Sequence, residues 1–326
     1  MYEQFRLREL RRGYSRQGWT LLIYYGILNA AVILTMFVDT FVRSFALALS
    51  GNEVDAEQLA EAMVDQSGWG YFLAIGIGLL ILLLWKKPGY FAKTIWAPGK
   101  PMQAGSFFAL LAIFTSTQLG IQLLYMLMEL GMNQFGFSMN EAMESAGGSM
   151  NSLSMFLYVS LGAPISEELL FRGVILRSME PYGKKFAIFG SALLFGLYHA
   201  NLIQIPFAFV VGLILGYVTV EYNIGWAIVL HMFNNLILSD TLPRLMNLLG
   251  APWTELWFWA VSIGCAIAAI VILIVNRDGI KSWFQRYQDD PLCARAFWGS
   301  AGIITLTVVM ALLTLFSTLM MLTPIS

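Results

Sequence analysis

The sequence predicts an all-α fold, a polytopic transmembrane helical bundle of about nine spans, and three observations carry that reading. The chain of 326 residues is 58% hydrophobic and only 12% charged, with a positive mean hydropathy, outside the usual composition of soluble domains. Apolar runs approaching the roughly 20 residues that a helix needs to cross the hydrocarbon core recur along it. Its Lys and Arg residues gather in alternate connecting segments, as cytoplasmic loops gather them.

The apolar runs fall at about 19–38, 69–85, 105–128, 151–170, 186–203, 205–220, 224–240, 253–275 and 297–322. With the N-terminus in the cytoplasm, the cytoplasmic segments hold Arg6, Arg8, Arg11, Arg12 and Arg16, then Lys86, Lys87, Lys93 and Lys100, then Arg172, Arg177, Lys184 and Lys185, then Arg277, Lys281, Arg286 and Arg295. These are seventeen of the nineteen basic residues, leaving Arg43 and Arg244 outside. The C-terminus is therefore expected across the membrane. Glu53, Asp55, Glu57, Glu61 and Asp65 crowd the first external loop without a basic partner, and that loop reads as a short amphipathic surface helix. The first apolar run exceeds the roughly 7–15 residues of a signal-peptide core, so it reads as a retained span.

The formal net charge is −1, and no basic cluster remains beyond those that topology explains, which argues against a nucleic-acid partner. Cys265 in a span and Cys293 in a loop have no metal-ligand spacing. Content divides the chain into three. Residues 1–145 supply three spans whose polar residues at depth are Asn29, Gln118 and Gln122. Residues 146–250 hold nearly every polar group that a bilayer resists. Residues 251–326 supply two further spans, with Trp253, Trp257, Trp259 and Trp298 as interfacial anchors.

Function is expected in the middle third, because a charge inside a span costs from about 3 kcal/mol upward and needs a bundle interior or a wet cavity. Ala163-Pro164-Ile165-Ser166-Glu167-Glu168 places two adjacent carboxylates in the fourth span, after a proline that should kink or restart the helix. Glu168 and Arg172 are four apart and able to pair, whereas Glu167 points about 100° away. Both histidines of the chain fall in this third, in Phe195-Gly196-Leu197-Tyr198-His199 and in His231-Met232-Phe233-Asn234-Asn235. Each histidine alone reads as a polar side chain bonded to a neighbouring helix, and the glutamates alone as interfacial ion pairs. Together they offer a base for water and donors for an oxyanion. Asn234 and Asn235 both lie on the His231 face of an α-helix.

At these residues the sequence resembles the CAAX prenyl endopeptidase and bacteriocin-processing family, also called Abi or CPBP. The family pattern of Glu-Glu-x-x-x-Arg, Phe-x-x-x-His and His-x-x-x-Asn on successive spans is met by Glu167, Glu168 and Arg172, by Phe195 and His199, and by His231 and Asn235. The resemblance covers about residues 150–240. It implies an intramembrane protease in which Glu167 and His199 activate a water, His231 and Asn235 hold the tetrahedral oxyanion, and Glu168 and Arg172 support them. Only the family spacing prefers Asn235 to Asn234.

The family is often labelled metalloprotease, and Glu167, His199 and His231 would be the ligands if zinc takes part. A zincin site is excluded for want of His-Glu-x-x-His, and a metal-free site is the favoured expectation. The expected substrate is a membrane-associated peptide or lipidated protein, prenylated or not, at a bacterial plasma membrane. Two other classes compete: a non-catalytic immunity or scaffolding protein using the same cavity, and a transporter relaying protons. The transporter needs neither an Arg four after a Glu nor an Asn four after a His.

Overall fold

The computed structural model describes residues 1–49, 68–147, 152–248, 250 and 252–325. The acidic segment expected to form a surface helix lies outside the described residues. Helix α1 (Tyr2–Leu49) is followed by α2 (Trp69–Tyr90), a π-helical turn Phe91–Ile95, and α3 (Ala104–Asn133). Strand β1 (Phe137–Ser138) and α4 (Asn140–Gly147) precede a long composite rod. That rod joins α5 (Leu153–Leu157), a π turn Tyr158–Gly162, α6 (Ala163–Glu168), a second π stretch Leu169–Leu176, α7 (Arg177–Met179) and a 3-10 turn Glu180–Tyr182. Then come α8 (Lys184–Tyr198), α9 (Gln204–Glu221) and α10 (Ile224–Phe233), the last running through a π stretch Asn234–Thr241 into α11 (Leu242–Asn247). The chain ends with α12 (Trp253–Val275), α13 (Arg277–Arg286), α14 (Cys293–Trp298), α15 (Ala301–Met320) and strand β2 (Thr323–Pro324).

Among the described residues the fold is all-α apart from the β1–β2 pair. Among the described residues five helices, α1, α3, α9, α12 and α15, are long and apolar enough to cross a membrane, and α2 holds a shorter apolar stretch, Trp69–Leu84. The expected spans 151–170, 186–203 and 224–240 fall short of that measure for a physical reason. They carry the buried polar groups and the π turns, and α8 has 15 residues, about 22 Å of rise against a hydrocarbon core of about 30 Å. At the other extreme, α1 extends in one piece through the basic N-terminal residues, 48 residues or about 72 Å.

The bundle interior is built on small residues. Ala192, Ile188 and Gly196 of α8 meet Gly212, Gly216 and Phe209 of α9. A Cβ at Gly212 would lie 3.0 Å from Cα and Cβ of Ala192, and one at Gly216 would lie 3.1 Å from Ile188 Cγ2. The small-xxx-small pair thus serves close helix approach.

The connections sort to two ends. At one, Arg6 Nε donates to Asp290 Oδ2 at 3.2 Å, Lys185 N to Asp289 Oδ1 at 3.2 Å and Arg177 Nη2 to Thr219 O at 3.2 Å. Buried Glu221 receives Lys100 Nζ, Trp283 Nε1 at 2.8 Å and Tyr287 OH at 3.3 Å at the same end. At the far end of α8, Asn201 caps α9 through Ile203 N and Gln204 N, both at 3.0 Å, and donates to Ala142 O at 2.9 Å. There β1 and β2 pair antiparallel, and Ser317 Oγ donates to Ala200 O at 2.7 Å.

Candidate active site

The composite rod brings the carboxylates into the bundle. Pro164 has no backbone donor, and its ring crowds the carbonyl four residues earlier, that of Ser160. The π turn Tyr158–Gly162 widens the backbone there, with Ala163 N bonding Tyr158 O, and α6 restarts behind it. In this wider ladder the partner of Val159 O would be the N–H that Pro164 lacks. Asn235 Nδ2 takes its place, donating to Val159 O at 2.9 Å.

Glu168 and Arg172 are both wholly buried. Glu168 Oε1 accepts from Arg172 Nη1 at 2.9 Å and from His231 Nδ1 at 2.9 Å. Arg172 Nη2 donates to Gly212 O at 3.3 Å, and its guanidinium lies 4.3 Å above the centre of the Phe195 ring. Two donors to oxygen and one aromatic face together accommodate a charge that the surroundings would otherwise reject.

Phe195 is the surface on which the site is assembled. Its ring holds Arg172 on the face, while His199 and His231 stand edge-on at centroid distances of 4.8 and 5.8 Å. His199 caps the end of α8, with Nδ1 2.8 Å from Phe195 O. A carbonyl only accepts, so Nδ1 carries a hydrogen, and in the neutral ring Nε2 keeps its lone pair. His231 turns Nδ1 to Glu168 and holds Nε2 3.7 Å from Glu167 Oε2. Glu167 is the open member of the acidic pair, its side chain 21% exposed where that of Glu168 is 0%. Tyr24, Tyr158, Tyr198, His199 and Arg172 all lie within electrostatic reach of Glu167.

The two asparagines belong to a relay. Gln118 Nε2 donates to Asn234 Oδ1 at 2.8 Å, and Asn234 Nδ2 to Asn235 Oδ1 at 2.9 Å. From Asn235 the relay passes to Val159 O. The spacing argument for a shared face with His231 assumes α-helical turns, but α10 ends at Phe233 and the amides stand in the π stretch that follows. One of the two Asn235 amide hydrogens is thereby committed to the backbone.

Sequence reasoning placed Glu167, Glu168, Arg172, Phe195, His199 and His231, and the fold brings these together. It did not single out Tyr24, Tyr158 and Tyr198, because a tyrosine inside an apolar run belongs to no motif of its own. Gln118 did carry a signal, being one of the polar residues in an otherwise apolar N-terminal third.

Residues 149–237 match the family model of the Rce1-like type II CAAX prenyl endopeptidases. The Rce1-like segment runs from just before α5 into the π stretch after α10, and so contains every site residue from Glu167 to Asn235 but none of α1, α2 or α3. Its name is that of a peptidase, and with the apolar helices it points to a protease of the membrane. No curated protein and no solved structure matches the chain.

The metal question turns on donor geometry. Among the described residues no three His, Cys, Asp or Glu side chains are grouped to hold a metal ion. Glu168 engages one nitrogen of His231, and Phe195 O engages one of His199. These contacts engage Nδ1 alone, and a metal-bound histidine is oriented by the same kind of contact, so by themselves they neither build nor exclude a ligand set of Glu167, His199 and His231.

Proposed function

We propose that the protein is an intramembrane endopeptidase that hydrolyses a peptide bond of a membrane-associated peptide or lipidated protein by glutamate-activated water. The observation that carries this reading is the different state of the two adjacent carboxylates. Glu168 is wholly buried, with Arg172 and His231 both bonded to Oε1 and Oε2 without a hydrogen-bond partner, whereas Glu167 is partly open and faces His231 Nε2 at 3.7 Å. One carboxylate builds the site, and the other is available for chemistry.

In this mechanism a water between Glu167 and His199 gives one proton to Glu167 as its oxygen bonds the scissile carbonyl carbon. His199 Nε2 accepts the water's second O–H and fixes its direction. His231, with a hydrogen on Nε2 as well as the one that Nδ1 gives to Glu168, and the second amide hydrogen of Asn235 face the oxygen on which charge develops. The tetrahedral intermediate collapses with rupture of the C–N bond, and Glu167 returns its proton to the leaving nitrogen. A carboxylic acid and an amine result, and the acid then gives its proton to the amine, leaving carboxylate and ammonium. The Rce1-like name supports prenylated proteins as one substrate class, acted on in a plasma membrane with the N-terminus of the chain cytoplasmic.

The test is Glu167→Gln in purified, detergent-solubilised protein with a fluorogenic peptide. Cleavage is expected to vanish while the circular dichroism spectrum and melting profile stay unchanged. Asn235→Ala should retain activity reduced by about 10²–10³, the usual cost of one oxyanion donor. A chelator should leave the wild-type rate unaltered. Full activity in Glu167→Gln would overturn the mechanism.

A further inference from the structure

The oxyanion side of the site is short of donors, because Asn235 spends one hydrogen on Val159 and His231 spends one nitrogen on Glu168. Two unspent donors stand nearby. Tyr24, from α1, is 6% exposed, and its hydroxyl is buried without a hydrogen-bond partner. Its ring occupies the space that Gly78 of α2 leaves open, for a Cβ there would stand 2.6 Å from the Tyr24 hydroxyl. Tyr198 directly precedes His199. Its ring is fixed edge-on against Tyr25 at 5.2 Å and Phe171 at 5.3 Å, and its hydroxyl is likewise buried and unpartnered. Both phenols lie within electrostatic reach of Glu167 and of each other.

A buried hydroxyl without a partner costs about 1–3 kcal/mol. Two of them within electrostatic reach of the partly open carboxylate, from different helices and with rings locked by packing, need a function to offset that cost. What they lack is an acceptor, and a peptide carbonyl entering beside Glu167 is one. We propose that Tyr24 and Tyr198 donate their phenolic hydrogens to the carbonyl oxygen of the scissile peptide and hold it as it becomes an oxyanion. The N-terminal helix, outside the Rce1-like segment, then completes the catalytic site. No proton is transferred in this role. Each phenol donates one hydrogen bond that strengthens as negative charge accumulates on the oxygen.

The inference rests on the peptidase reading, and the experiment separates the two. Tyr24→Phe and Tyr198→Phe keep the rings and their packing, so melting temperature is expected to be unchanged or raised. In the full-length purified protein, with a fluorogenic peptide, kcat should fall about 10²-fold for each, the lower bound for a lost oxyanion donor. The fall should appear equally in kcat/KM, as for a contact made only in the transition state. A phosphinic peptide mimicking the tetrahedral intermediate should lose affinity by the same factor. An unchanged kcat in both variants, or a change confined to KM, overturns the proposal. Glu167→Gln is run in parallel. If it is inactive while both phenylalanine variants are fully active, this inference alone fails, and if it is active the peptidase reading fails with it.

Discussion

At the scale of single residues, adjacent glutamates take different states because their neighbours differ. Glu168 has an arginine one helical turn on and an imidazole from another helix, and burial makes each of these partners indispensable. Removing Arg172 leaves a carboxylate uncompensated in a dry interior, a loss of about 3–5 kcal/mol for a broken buried pair. Arg172→Ala is therefore expected to lower the melting temperature and the yield of solubilised protein before activity is considered. Arg172→Lys should rescue little, because one ammonium cannot reach Glu168 and Gly212 O while also spreading over Phe195. A lysine variant as stable as wild type in thermal unfolding would count against this account. Asn235 shows the opposite ambiguity, since one side chain both satisfies the carbonyl orphaned by Pro164 and stands near the proposed oxyanion.

At the scale of elements, function depends on helices that depart from α geometry. π turns stand beside Pro164 and after His231, and they redirect Val159 O and the Asn234–Asn235 pair. The second π stretch opens Phe171 O to Ser191 Oγ at 2.8 Å and Gly173 O to the Tyr90 hydroxyl at 3.3 Å. Gly212 links this rod to the α8–α9 contact: its carbonyl binds Arg172, and its missing side chain admits Ala192. Gly212→Ala is expected to cost about 1–3 kcal/mol by overpacking, read as a lower melting temperature in detergent. Gly264→Ala in α12, where an added Cβ meets nothing within 4 Å, should be neutral. The same elements mark how far the sequence could be read. Apolar runs, the Glu168–Arg172 spacing, the restart at Pro164 and the small faces of α9 follow from local rules. The π turns do not, because their cause is the competition of several helices for a few carbonyls, and every inference that assumed 3.6 residues per turn after Phe233 shifted with them. The tyrosines were illegible because the groups that fix them come from other elements: Gly78 for Tyr24, Tyr71 and Phe72 for Tyr158, and Tyr25 and Phe171 for Tyr198.

At the scale of the whole molecule, polarity is inverted relative to a soluble protein. Glu168, Arg172, His231 and Asn234 are buried, while Ile267, Ile270, Leu312 and Phe316 on α12 and α15 are more than half exposed. That distribution suits a hydrocarbon exterior. The segments rich in Lys and Arg are tied to one another at one end by the Arg6–Asp290, Lys185–Asp289 and Lys100–Glu221 contacts. The two basic residues left for the other side, Arg43 and Arg244, each pair with an acid four residues earlier, Asp39 at 3.0 Å and Asp240 at 2.6 Å. If positive charge is retained in the cytoplasm, the end holding Arg6, Lys100 and Lys185 faces inward. Thiol labelling decides the orientation. In a background of Cys265→Ala and Cys293→Ser, Asn247→Cys should react with a membrane-impermeant maleimide on intact cells, and Lys93→Cys only after permeabilisation, both positions being exposed on the protein. The reverse pattern would turn the molecule over and place Glu167, five residues before Arg172 on the rod, toward the outer face instead of the cytoplasmic one. A substrate would then have to approach from the other compartment.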